Sequence, residues 1–132
     1  MSGDHAQLRL RKRWLPAPGE TALLKAVLAA LAWRRRDVEV WRNNTGGMHK
    51  GKNYIPFGLG EGGADLVGVL RTGRFWAVEL KTEDGRLSEA QRAWQARVAQ
   101  MGGYVVTART VSEVMRALDA GLRGACAPPV EE

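Results

Sequence analysis

Asp65, Glu79 and Lys81 are charged residues set into two stretches that otherwise read as buried strand, Asp65-Leu66-Val67-Gly68-Val69-Leu70 and Phe75-Trp76-Ala77-Val78-Glu79-Leu80-Lys81. A carboxylate taken out of water is costly unless it is paired or bound to a metal. Successive side chains alternate faces along a strand, so Glu79 and Lys81 share one face and Leu80 points the other way. Two acids and an amine converging at one end of a hairpin suggest a site for a hard cation.

The turn decides whether Asp65 joins them. A three-residue loop, Arg71-Thr72-Gly73, puts glycine where a left-handed residue is needed. That register pairs Leu70 with Arg74, sets Asp65 opposite Glu79, and places Gly68 across from Trp76, where its missing side chain leaves room for the indole. A two-residue Thr72-Gly73 loop would ask a β-branched residue for positive φ and send the acids to opposite faces. Like charges opposite one another destabilise a sheet, and a divalent cation between them reverses that sign. Magnesium takes a few carboxylates plus carbonyls and waters; Asp65, Glu79 and the Leu80 backbone carbonyl make such a shell. The plainer alternative is an edge hairpin with solvated acids, but apolar residues on both faces argue against it.

The elements that must position these groups follow from periodicity and caps. Residues 1–17 read as a basic N-terminal arm ending at Pro16-Ala17-Pro18. A helix is expected from near Gly19 or Glu20, with Leu24, Val27, Leu28 and Leu31 as its buried stripe. Glu20 lies on the inward side at its start, where it either answers the helix dipole or reaches the metal site. Val38–Arg42 is a first strand, followed by a long Gly-rich loop to Gly63, a flap beside the site. After the acidic hairpin, Ser88 to Gln91 matches a capping box. The helix it opens buries Trp94, Val98 and Met101 and stops at Gly102-Gly103. Tyr104–Thr107 is a fourth strand, parallel to its neighbour because a helix precedes it. Thr110 to Glu113 caps a last helix with the stripe Val114, Leu118 and Leu122. The order α-β-β-β-α-β-α is an α/β fold, a mixed sheet flanked by helices. The domain spans 18–123, and 124–132 is expected to be a flexible tail.

At 132 residues, 45% of them hydrophobic, the chain suits one domain with one core. No apolar run reaches transmembrane length and the start lacks a secretory pattern, so no membrane partner is expected. One cysteine, Cys126, excludes an internal disulfide framework or a cysteine-rich zinc knuckle and fits a reducing cytoplasm. A net charge of +6 and a pI near 10.1 favour a polyanionic partner. Candidate contacts are Arg11 and Arg13 in the arm, Arg42 and Asn44 at the end of the first strand, and His49, Lys50 and Lys52 in the loop. Arg34-Arg35-Arg36 is a further basic cluster. A metal-binding pair in a basic chain points to phosphodiester chemistry. A small-molecule phosphoesterase lacks support, since no phosphate-cradling Gly-rich turn leads directly into a helix.

These residues reach a known pattern. Glu20 stands in the first helix, Asn44 and Gly46 follow the first strand, and then come Gly63-Ala64-Asp65-Leu66 and Phe75 to Thr82. Gly85-Arg86-Leu87-Ser88 leads into Gln91, Trp94 and the Gly102-Gly103-Tyr104 join. The sequence resembles the virus-type replication-repair nuclease (VRR-NUC) branch of the PD-(D/E)XK nuclease superfamily across roughly residues 20–110. It departs at Ala64, where the family usually has proline.

The resemblance implies a restriction-endonuclease-like fold and a magnesium- or manganese-dependent DNA endonuclease acting in DNA repair. Asp65 and Glu79 would be metal ligands with the Leu80 carbonyl, and Lys81 would orient the attacking water and oppose charge on the phosphate. Glu20 would be a metal or water ligand and Gln91 an active-site hydrogen-bonder, which the capping box also claims. Small stand-alone members look like homodimeric Holliday-junction resolvases or other branched-DNA endonucleases, so junction DNA and a second copy are the expected partners. A nucleic-acid-binding module without turnover is the competing reading.

Overall fold

Val27, Leu28 and Leu31 recur at helical spacing and are buried in the first described helix, α1 (Ala22–Ala32). The structure, a computed structural model, describes residues 21–44 and 46–132. Thr21 caps α1, its hydroxyl accepting from the Leu24 amide at 3.2 Å. The expected start at Gly19 or Glu20 lies outside the described residues.

Four strands form the main sheet: β1 (Val38–Arg42), β4 (Leu66–Leu70), β5 (Phe75–Leu80) and β6 (Tyr104–Ala108), in the order β1-β4-β5-β6. The first two pairings are antiparallel and β5–β6 is parallel, joined by the crossover helix α2 (Glu89–Gln100). The last helix is α3 (Val111–Leu122). The sheet is therefore mixed and flanked by helices, as the sequence pattern indicates.

Strand parity divides the side chains between two clusters. Leu66, Leu70, Trp76, Val78, Tyr104 and Ala108 face α1 and α3 in the larger core. Ala77 and Val105 face α2 with Trp94, in a smaller cluster. Asp65 and Glu79 have the parity of Val67 and Ala77, so they belong to the α2 face, where less apolar packing covers the sheet.

Several expectations need correction. The segment read as a Gly-rich loop contains a separate antiparallel ribbon, β2 (Gly46–Lys50) paired with β3 (Asn53–Phe57). Gly68 does lie across from Trp76, but a Cβ there would fall 2.3 Å from the Glu39 carbonyl oxygen. The glycine lets β1 approach, and room for the indole comes from Gly121 on α3, where a Cβ would sit 3.3 Å from Trp76. Met101, placed in the buried stripe of α2, is 86% exposed because it is the C-cap, and Gln95 is buried instead. Arg34 is no free basic cluster member: it bonds Asp37 at 2.6 Å and Asp119 at 2.8 Å, tying the end of α1 to α3.

Segment 124–132 forms no helix or strand, and two of its residues bond to the body. Arg109 donates to both carboxylate oxygens of Glu131 at 2.9 Å, and Arg74 donates to the Ala125 carbonyl. The fork of a guanidinium matches a carboxylate in this bidentate way.

Candidate functional site

The acidic hairpin turns as Gly73 requires. Its φ is 89°, its amide donates to the Leu70 carbonyl at 2.8 Å, and the Leu70 amide donates to Arg74 at 2.8 Å. The pairs Val69 with Phe75, Gly68 with Trp76, Val67 with Ala77 and Leu66 with Val78 follow. Asp65 directly precedes β4, and its charge acts on the Glu79 carboxyl, so the turn brings the two acids together.

Each acid is held from a different element. The Leu80 amide donates to Asp65 Oδ2 at 2.7 Å, so one carboxylate oxygen is pinned to the partner strand. The Asp65 backbone is fixed from β1: the Asn43 amide donates to the Asp65 carbonyl at 2.8 Å, and Asn43 Nδ2 donates to the Ala64 carbonyl at 2.9 Å. Glu79 is only 4% exposed. Its Oε1 accepts from Gln91 Nε2 at 3.0 Å and lies 4.0 Å from Lys81 Nζ. Lys81 is steadied by its amide, which donates to the Ala108 carbonyl at 3.0 Å.

Gln91 makes two sets of contacts. Its Oε1 accepts from the Ser88 amide at 2.9 Å and its own amide donates to Ser88 Oγ at 3.1 Å, completing the capping box. The other end of the same side-chain amide holds Glu79. One group thus starts α2 and orients a carboxylate.

Burial is the first cause pushing the Glu79 carboxyl up from 4.5 to about 8, and the charge of Asp65 is the second; Lys81 pulls the other way. Without a cation this carboxyl therefore holds its proton at neutral pH, and a positive ion placed between the two acids would favour its ionised form. Among the described residues no third histidine, cysteine or acid joins them to make a metal cluster. The donors are all hard oxygens, and magnesium is held by one or two carboxylates with water and phosphate completing its shell. The pair fits such an ion.

The remaining expected residues are placed as follows. Arg42 ends β1, half-buried, and Asn44 is exposed just beyond it. His49, Lys50 and Lys52 are exposed at the tip of the β2–β3 ribbon. Glu20, Arg11 and Arg13 lie outside the described residues. Two contributors were missed. Asn43, rather than its neighbour Asn44, secures the Asp65 backbone. Gln95 Nε2 donates to Thr107 Oγ1 at 3.0 Å, both buried, beside the register pair Glu79–Thr107. The signal was available for Gln95, because it stands one helical turn after Gln91 and must share its face.

Residues 52–112 match the family model described as the VRR-NUC domain. The matched stretch runs from the ribbon to the start of α3 and includes Asp65, Glu79, Lys81 and Gln91. No curated protein and no solved structure matches the chain.

Proposed function

We propose, from the match of residues 52–112 to the VRR-NUC domain and the nuclease-type function it implies, that the protein is a magnesium- or manganese-dependent DNA endonuclease that hydrolyses phosphodiester bonds, selective for branched or Holliday-junction DNA. The observation that carries this reading is the buried Glu79, within the influence of the Asp65 charge and 4.0 Å from Lys81.

Asp65 and Glu79 would hold the ion, with the Leu80 carbonyl and Glu20 as further donors. When bound, a divalent cation supplies Lewis-acid stabilisation of charge on the phosphate and lowers the pKa of water toward neutrality. The protein's own groups supply the orientation. The Leu80 amide and Gln91 each hold one carboxylate in place, so little reorganisation remains when charge develops. Lys81 presents an ammonium beside Glu79, where it orients the attacking water and opposes charge on the scissile phosphate. Basic residues Arg42, His49, Lys50 and Lys52, with Asn44, contact the DNA backbone, as do Arg11 and Arg13 from the arm.

A junction needs two strands cut, and a two-fold homodimer presents two sites symmetrically. The protein acts in a reducing cytoplasm, where the exposed thiol of Cys126 stays free. No helix among the described residues is long and apolar enough to cross a membrane.

The test is a panel of labelled four-way junction, flap and linear duplex incubated with magnesium, manganese or chelator, alongside Glu79→Ala. Metal-dependent cleavage favouring the junction and lost in the variant is expected. Binding without any product, or cleavage undiminished in Glu79→Ala, overturns the reading. Elution as a monomer that still resolves junctions overturns the dimer.

A further inference from the structure

The β2–β3 ribbon is built unlike the rest of the molecule. Every residue of β3 is exposed, and Met48 and Tyr54 are 58% and 59% exposed, so the ribbon has no core of its own. An isolated two-stranded hairpin is marginal in water, and such an element needs something to lie against. Cross-strand pairing puts Met48, Ile55 and Phe57 on one face, with His49 and Tyr54 on the other, their rings 5.2 Å apart. Gly46 and Gly47 let the Phe57 and Tyr54 rings come close to the opposite strand: an added Cβ would fall 3.0 Å and 2.1 Å from those rings. The ribbon is therefore thin.

Its charge is one-sided. No acidic residue occurs from Arg42 to Gly60, whereas Lys50 and Lys52 flank the tip turn at Gly51. Its root is the site itself. The outgoing leg leaves at Asn43, which is bonded to Ala64 and Asp65, and the returning leg passes Gly62, packed so closely on Ala90 that a Cβ would fall 2.2 Å from its carbonyl oxygen. Both legs are clamped within a few residues of the paired carboxylates.

We propose that the β2–β3 ribbon enters the major groove of a B-form DNA arm, placing its lysines on the phosphates and Met48 and Ile55 toward the base edges, and so seats that arm against Asp65 and Glu79. The assignment rests on the nuclease reading for the class of substrate and adds the mode of recognition. A major groove roughly 12 Å wide admits a two-stranded ribbon and presents thymine methyl groups to apolar side chains, whereas a minor groove of about 6 Å does not. The major groove of A-form RNA is too deep and narrow to be read by side chains, so the ribbon selects DNA over RNA duplex. A second copy of the ribbon is the poorer occupant, because face-to-face ribbons would bring lysines together with no acid in the segment to neutralise them.

Binding to labelled DNA and RNA duplexes of one sequence, measured by fluorescence anisotropy in chelator, tests this without cleavage. The wild-type protein is expected to bind DNA at least about tenfold tighter than RNA, and the major-groove ligand methyl green should displace it where the minor-groove ligand netropsin does not. The pair Lys50→Gln with Lys52→Gln should lower the slope of log affinity against log salt by about two. Met48→Ser with Ile55→Ser should weaken DNA binding by about tenfold and leave that slope unchanged. Equal affinity for RNA, displacement by netropsin alone, or wild-type binding by both double variants overturns the assignment. So does conversion of a dimer to a monomer by Met48→Ser with Ile55→Ser, which would make this face an interface between copies. The competition experiment uses only the wild-type protein and does not depend on how the variants fold. A protein that binds in this pattern but never cuts with magnesium or manganese leaves the ribbon assignment standing and removes the nuclease reading; one that cuts but fails the competition does the reverse.

Discussion

Replacing Glu79 with glutamine removes a buried charge while keeping the oxygen that accepts from Gln91. Without a divalent ion, burial and then Asp65 push this carboxyl from 4.5 to about 8. A carboxyl raised on folding weakens the fold as pH rises, because the unfolded chain gives up its proton more readily. The contribution is intact below 4.5, is lost progressively between 4.5 and about 8, and is fully absent above that. At about 1.4 kcal/mol per pH unit the cost reaches on the order of 4–5 kcal/mol, a large part of a typical domain stability of roughly 5–15 kcal/mol. Urea unfolding followed by tryptophan fluorescence, in chelator across this range, measures it directly. Wild type and Glu79→Gln should unfold alike at the acidic end, and the variant should be the more stable by several kcal/mol above about pH 8. Adding magnesium or manganese at a hundred times its dissociation constant should return about 2.7 kcal/mol to the wild type and far less to the variant. A Glu79→Gln protein less stable than wild type at alkaline pH, or a gap that does not change with pH, would refute the reasoning.

Gln91→Glu keeps a capping-box residue but sets a third carboxylate against Glu79, so α2 should persist by circular dichroism while cleavage falls at least about tenfold. Gln91→Ala loses both contacts and should cost about 1–2 kcal/mol in urea unfolding as well as activity. Lys81→Met should lower the single-turnover cleavage rate about 100–1000-fold with little change in DNA affinity. Gly68→Ala, which forces a Cβ against the Glu39 carbonyl, should destabilise by about 1–3 kcal/mol. Glu131→Ala should change stability by less than about 1 kcal/mol, as expected of a partly exposed ion pair, yet open segment 124–132 to limited proteolysis.

The part of the site that was legible rests on local rules. Gly73 and the β-branched Thr72 select the turn, the turn sets the register, and a period of two then fixes which face each acid takes. The Ser88–Gln91 box was legible for the same reason. What escaped depends on tertiary neighbours. Glycines, Pro56 and the lack of a buried face made β2 and β3 look like loop, because strand propensity reflects packing that this ribbon does not have. One sign was present: Gly51-Lys52 is a two-residue loop with glycine first, and its φ of 64° suits a type II′ turn. Nothing in spacing separates Asn43 from Asn44, since only the meeting of β1 with Ala64 and Asp65 decides which one bonds. Likewise Arg109 grips Glu131 across a long sequence separation that periodicity does not register.

Calorimetric titration of manganese into the wild-type protein, Asp65→Asn and Glu79→Gln, without DNA, addresses the shared ion most directly. The account predicts a binding event in the wild type that either single substitution removes. Manganese bound by both variants as tightly as by the wild type would show that these opposed carboxylates do not hold it.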